Sequence, residues 1–390
     1  MPSIITIGLI LIALPIAAGA YAYLVYPLVL LLLGRRTTRS TDDDAWPLIT
    51  ITVPCYNEAR SIRQTLERLL ALDYPADRRH ILVISDASSD GTDDIVREFE
   101  PRGVELLRLP ARAGKTAAEN AAAARLRGTL VVNTDATIRI PLDSLKPLVR
   151  AFRDPGVGVA SGRDVSVGNL EAEHNSAEAG YVGYEMWVRR LESRVYGIVG
   201  ASGCFYGIRR QLYSAEFPEA LSRDFASPLM AREHGFRSVS VDEAVCLVPR
   251  TSSLQAEYRR KIRTMARGLE TLWYKRHLLN PVRYGVFAWM LASHKVCRWI
   301  VPLLLAPGAI GLGLLALQWP AVAALAVAVL AGAAIGAIAR FLPADRPLPR
   351  PVALLGFALW SNVAALVAWA KALRGEGSPI WEPTRRPASH

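Results

Sequence analysis

The chain has 390 residues, enough for one large domain or two ordinary ones; 51% are hydrophobic and the mean hydropathy is +0.20, high for a water-soluble protein. The formal net charge is +11, but much of the excess Lys and Arg flanks apolar runs, and no nucleic-acid-binding module accompanies it, which argues against nucleic acid as a partner. Cys55, Cys204, Cys246 and Cys297 lie far apart without CxxC or metal-ligand spacing, so they read as reduced, mostly buried thiols in a cytoplasmic setting.

Residues 3–33 carry no charge. About 20 apolar residues cross a bilayer, so residues 1–34 read as an N-terminal transmembrane helix. No Lys or Arg precedes the run, as a secretory signal would require, and Arg35, Arg36 and Arg39 follow it. Positive charge collects on the cytoplasmic side, which places the N-terminus outside and the middle of the chain in the cytoplasm.

Residues 46–280 are charged and read as a globular unit. LITITVPCY (48–56) is a β-rich buried strand, and the following segment has Ile62, Leu66, Leu69 and Leu70 at helical spacing. HILVISD (80–86) is a second strand; a helix capped by Asp90 or Thr92 follows. VELLRLP (104–110) is a third strand, and an Ala-rich helix then runs to Gly128. TLVVNTDA (129–136) is the fourth. Alternation of this kind predicts an α/β domain with a mostly parallel sheet. Ligands of such sheets bind beyond the carboxyl ends of the strands, where Asn57, Glu58, Asp86, Lys115 and Asp135 fall. No GxGxxG or GxxxxGK[ST] cradle is present. The stretch 179–197 is rich in Tyr, Trp and Arg, a pattern that suits core packing or stacking on a ring. His174, His234 and His277 are scattered, and none reads as a metal ligand.

Towards the C-terminus, residues 281–298 read as an interfacial helix, with His294, Lys295, Arg298 and Trp299 marking the membrane boundary. Three spans follow within 299–372, at 299–317, 320–339 and 351–371, leaving a tail at 373–390. QWP (318–320) makes an outer turn and the basic stretch 340–351 an inner loop; Arg374, Arg385 and Arg386 then sit on the side that the span count makes external, against the charge rule.

VPCYNEARSIRQTLERLL, YPADRRHILVISDASSDGTDDIV, RAGKTAAENAAAARLRG and NTDAT together resemble a membrane-bound inverting family 2 glycosyltransferase. That is the nucleotide-sugar-dependent GT-A (Rossmann-like) fold shared with cellulose, chitin and hyaluronan synthases. ASGCFYGIRRQLY, SRDFASPLMAREHGFRSV, EYRRKIRTMARGLETL and SHKVCRWIVPLL extend the likeness from residue 48 to about 305. The resemblance implies that Pro54, Tyr56 and Glu58 line the nucleobase pocket, that Asp86 holds the base or ribose, and that Lys115 approaches the phosphates. It implies Asp135 as the first acid of an Asp-x-Asp motif that binds Mg²⁺ or Mn²⁺, Asp224 as general base, and Gly203, Cys204 and Phe205 as the acceptor-side loop. Arg260 and Arg263 match the basic positions of the (Gln/Arg)-x-x-Arg-Trp element. Thr137 replaces the second metal-motif acid, Arg223 stands before Asp224 where the family has an acid, and Thr264 replaces the Trp that accompanies processive chain growth.

The implied partners are a nucleotide sugar, probed first as UDP-linked, a polysaccharide or lipid-linked acceptor, and membrane lipid. Three alternatives stand beside this reading: a non-catalytic nucleotide-binding homologue assisting a partner synthase, single addition to a polyprenyl-phosphate-linked acceptor, and, for Arg260 and Arg263, a basic helix lying on anionic lipid.

Overall fold

A computed structural model of the chain describes residues 3–34, 45–167, 173–213, 216–249, 254–339, 341 and 349–376. The basic cluster at 35–39, most of the loop at 340–351 and the tail beyond 376 lie outside the described residues, as does the side chain of His174.

The β-branched run Ile49–Cys55 is buried along its whole length and forms the central strand β1. Six more strands flank it: β2 (Arg79–Ser85), β3 (Val104–Arg108), β4 (Leu130–Thr134), β5 (Val157–Val167), β6 (Phe205–Arg209) and β7 (Arg237–Pro249). They make one sheet in the order β3-β2-β1-β4-β6-β5-β7. β1 pairs in parallel with β2 and β4, and β2 with β3. β6 runs antiparallel to both β4 and β5, while β5 and β7 are parallel. The chain moves outward from β1 to β3 and then returns to β4 on the other side of β1. The crevice between β1 and β4 is therefore the switch point where such sheets bind ligands.

Helices cover both faces. Ile62–Ala71 buries Ile62, Leu66 and Leu69 against the sheet, as its spacing predicts. The N-cap of Thr92–Arg97 is Gly91 rather than Asp90 or Thr92, and Asp90 Oδ1 accepts from the Thr92 backbone N–H at 3.1 Å just ahead of the helix. The Ala-rich helix is short, Lys115–Ala122, followed by a 3₁₀ turn. At Gly128 the backbone has φ +77°, and a Cβ there would lie 1.9 Å from the Leu48 carbonyl oxygen, so only glycine fits.

Among the described residues, four helices are long and apolar enough to cross a membrane: a first at Ile4–Leu33, a second at Val286–Ala316, a third at Pro320–Ala339 and a fourth at Arg350–Arg374. The second continues across the expected interfacial segment. Only Pro281–Tyr284 forms a separate turn, and from Val286 one helix runs through a π-helical stretch at Ala292–Cys297 to Ala316. His294 and Arg298 are 2% and 5% exposed, so they do not snorkel outward. They face the long helix Glu173–Val195 instead. Tyr26 and Leu30 of the first span, Val188 and Leu191 of that long helix, and Phe287 and Leu291 of the second span share one apolar cluster. It docks the sheet domain on the span bundle.

Candidate active site

A cavity of about 750 Å³ opens at the carboxyl ends of β1 and β4 and extends to the second and fourth spans. The turn after β1 puts Asn57 in the left-handed region at φ +54°. This turns Glu58 back towards the sheet. Its N–H donates to Thr92 Oγ1 at 2.8 Å, its carboxylate accepts from Ser61 Oγ at 2.7 Å, and the side chain lines the cavity. Asp86, directly after β2, accepts from the backbone N–H groups of Ala113 and Gly114 at 2.7 and 2.9 Å. It fixes the loop that leads into Lys115 and does not line the cavity. Tyr56 stacks under the Arg112 guanidinium, 3.9 Å from ring centroid to Cζ. Pro54 and Phe205 are buried within β1 and β6 and do not reach the cavity.

Lys115 opens its helix and directs Nζ across the crevice to Asp135 Oδ1 at 2.6 Å and to the Gly203 carbonyl at 3.2 Å. Burial pushes its pKa down, but Asp135, Glu119 and Asp224 outweigh that and hold it above the ordinary lysine value. Asp135 follows β4 directly, with Thr137 on the same cavity wall. Asp224 lies in the first turn of the helix Arg223–Glu233, where the helix dipole favours a carboxylate, and accepts a hydrogen bond from Ser222 Oγ. A Cβ on Gly203 would come within 2.9 Å of Asp224 Oδ2, so a glycine there lets the loop before β6 close on this carboxylate. Cys204 lines the same wall. Arg260 and Arg263, one helical turn apart on Leu254–Tyr274, both reach the cavity, with Arg260 held by Glu257 at 2.6 and 2.9 Å.

Lys115, Asp135, Asp224, Arg260 and Arg263 thus share one cavity. Sequence reasoning passed over three more of its residues. Asp164 of β5 receives hydrogen bonds from Ser202 Oγ and, at 3.0 Å, Cys246 Sγ. Arg267 donates to Thr116 Oγ1 at 2.6 Å and ties the basic helix to the Lys115 helix. Glu185 sits on the aromatic-rich stretch. That stretch splits its labour: Tyr181 and Met186 line the cavity, whereas Tyr184 and Trp187 pack beside the first span. Only its i, i+4 spacing from Arg263 hinted at Arg267, and nothing local marked Asp164.

For a divalent cation the cavity offers Asp135, whose Oδ1 also accepts from Lys115 Nζ. No group of three His, Cys, Asp or Glu side chains that could hold a metal occurs among the described residues. Mg²⁺ is commonly held by one or two carboxylates with substrate phosphates and water, so Asp135 fits such an ion once a diphosphate lies beside it.

Residues 50–217 match the family model described as Glycosyl transferase family 2. The chain carries a family 2 glycosyltransferase domain. An N-acetylglucosaminyltransferase of Mesorhizobium japonicum is 28% identical over 251 residues, 56% of this chain and 55% of that protein. One from Rhizobium sp. strain N33 is 29% identical over 160 residues, 39% of this chain and 32% of that protein. The matched stretches thus span between about a third and about half the length of these relatives. In fold the chain is similar to the mannosyltransferase PcManGT from Pyrobaculum calidifontis, solved in complex with GDP-Man and Mn²⁺. The TM-score is 0.72 at 24% identity, covering 94% of this chain and 99% of that one. The GT-A fold and the candidate membrane helices are those expected from the sequence.

Proposed function

We propose that the protein transfers a sugar from a nucleotide-diphosphate donor, UDP-linked, to a polysaccharide or lipid-linked acceptor with inversion at the anomeric carbon. The catalytic domain would sit on the cytoplasmic face. The observation that carries this reading is the meeting of Lys115, Asp135, Asp224, Arg260 and Arg263 on one cavity at the switch point of the sheet. Transfer has two demands. The leaving diphosphate gains charge, and Lys115 with the planar guanidinium donors of Arg260 and Arg263 supplies fixed positive charge to meet it. The acceptor hydroxyl loses a proton, and Asp224 takes it, its carboxylate oriented by Ser222. Attack opposite the leaving group inverts the centre without a covalent enzyme intermediate. When bound, Mg²⁺ or Mn²⁺ would be held by Asp135 and would add charge stabilisation at the diphosphate. The structural neighbour holds GDP-Man and Mn²⁺, which supports a metal and a nucleotide-sugar donor here. The replacement of the second acid by Thr137 leads us to expect weaker metal binding than in a two-acid relative.

The test is donor turnover by the purified full chain with Mn²⁺, with Mg²⁺ and after chelation, using UDP-sugars and GDP-Man in parallel. Asp224→Asn is expected to retain donor binding, read as a thermal shift, and to lose about 10²- to 10⁴-fold in turnover. A nearly full rate in that variant removes Asp224 as base. A wild-type protein that binds donors and never turns them over establishes instead the non-catalytic partner role. Single addition fits better than processive growth, because Thr264 lines the cavity where the family carries Trp.

A further inference from the structure

The charged group that the second span carries into the protein is unbalanced. His294 presents Nδ1 to Glu192 Oε1 at 2.6 Å and Nε2 to Glu185 Oε1 at 2.8 Å. Arg298 Nη1 donates to Glu185 Oε2 at 2.7 Å, and Tyr26 Oη donates to Glu192 Oε1 at 2.6 Å. Both oxygens of Glu185 are therefore engaged. Two further cations stand beside it beyond hydrogen-bond distance: Arg189 Nε at 3.8 Å and Lys295 Nζ at 3.7 Å. Arg189 is 9% exposed, and its Nε and Nη1 have no hydrogen-bond acceptor among the described residues. Lys295 has an ion contact only with Glu185 there, and its Nζ lies 5.5 Å from the ring of Phe225, the residue after Asp224. Buried guanidinium N–H groups without acceptors are costly and rare, and an ionisable residue on a membrane-spanning helix marks a functional site by default.

Both cations line the active-site cavity, and the same wall continues past Trp299 to Pro302 of the second span and Phe357, Ala358 and Ala365 of the fourth. One continuous space thus joins the candidate base, a patch of spare positive charge and a passage between spans, lined mainly by apolar side chains with Ser361 and Asn362 among them. We propose that Arg189 and Lys295 form a subsite for the phosphate-bearing head of a membrane lipid that serves as the acceptor, its chain lying along the second and fourth spans. The acceptor role rests on the sugar-transfer reading above; the binding site does not. Arg supplies planar donors and Lys a point charge to the phosphate oxygens, and Glu185, already saturated by His294 and Arg298, holds the pair in place.

The experiment uses the full chain in phosphatidylcholine nanodiscs, with a long-chain polyprenyl phosphate, the matching neutral polyprenol or inorganic phosphate added separately. Thermal unfolding reads binding of each, and UDP is titrated alongside. The polyprenyl phosphate is expected to raise the unfolding midpoint, and the other two to leave it unchanged. Arg189→Gln with Lys295→Gln should weaken the lipid by at least about tenfold while UDP affinity changes by less than about twofold. Arg189→Lys with Lys295→Arg should recover part of the loss. Equal stabilisation by the polyprenol, stabilisation by inorganic phosphate alone, or unchanged lipid affinity in the double Gln variant overturns the proposal. So does a parallel loss of UDP affinity, which would assign the cations to the donor. Should the double variant not fold, Lys295→Gln alone decides, since only a 3.7 Å ion contact is removed, and unchanged lipid affinity there again overturns the subsite. A wild type that binds the lipid phosphate through these residues and binds no nucleotide sugar would refute the transferase reading and leave the site standing.

Discussion

Arg223 and Asp224 are neighbours in sequence that serve opposite sides of one helix. Successive residues on a helix point about 100° apart, so when Asp224 faces the cavity Arg223 turns into the core. There it is 4% exposed, with Nε 3.5 Å from Glu119 Oε2 and its guanidinium over the rings of Tyr213 and Phe217 at 4.5 and 5.0 Å. It also donates to Asn120 Oδ1. The basic residue that replaces the family's acid therefore clamps the Lys115 helix to the Asp224 helix. Burial raises the pKa of Glu119, with Lys115 and Arg223 pulling the other way. Arg223→Met should destabilise the fold by about 3–5 kcal/mol, because it removes one of the two cations beside a buried carboxylate, and adding Glu119→Gln should restore part of that. Denaturant unfolding of the two single variants and the double measures the coupling; additive losses would mean that the two residues do not act as a pair. None of this was legible beforehand. Sequence marks Arg223 as a departure from a motif, but its partner is more than a hundred positions away.

At the scale of elements, strand and helix periodicity carried the reading furthest where contacts are local. The four parallel strands, and with them the placement of Glu58, Asp86, Lys115 and Asp135 at one edge, follow from runs of buried residues broken by turn residues. Asp224 and the arginines could be named only through resemblance, because β6 enters the sheet antiparallel and no local pattern announces which helix then faces the crevice. The surroundings of Lys295 and Arg298 were not legible for a related reason. Lys295 and Arg298 look like boundary residues until Glu185, on another helix, is known to face them. Glycine supplies the contact between the first and second spans. A Cβ on Gly311 would lie 2.7 Å from the Gly8 carbonyl oxygen and 2.8 Å from Leu11 Cβ, so these helices meet backbone to backbone. Gly311→Leu should force them apart and cost about 1–3 kcal/mol or more, by the usual scale of overpacking. Thermal unfolding in detergent checks it. Gly313, where a Cβ would meet nothing within 4 Å, is the matched control and should tolerate Leu.

For the molecule as a whole, the decisive link is the charged chain that joins three parts of the sequence: Tyr26 from the first span, Glu185 and Glu192 from the catalytic domain, and His294 and Arg298 from the second span. Burial pushes both glutamates up, but His294 more than offsets this, aided by Lys295 and Arg298 at Glu185 and by Tyr26 at Glu192, and holds both below the ordinary carboxylate range. A depressed carboxylate pKa contributes stability that is fully present above its unfolded value of about 4.3 and lost as pH falls through the folded value. Spans and domain should accordingly unfold together at neutral pH, in a single calorimetric transition, and the midpoint should fall as acid protonates the pair. His294→Leu removes the imidazole that bridges two buried carboxylates, so it should lower the midpoint strongly and split the transition into a span and a domain component. It should also flatten the dependence on pH below about 4, because the carboxylates then return towards ordinary values. Two separate transitions already present in the wild type would mean that the membrane helices and the catalytic unit are not coupled through this cluster, and that the cavity running between them is not held as one space.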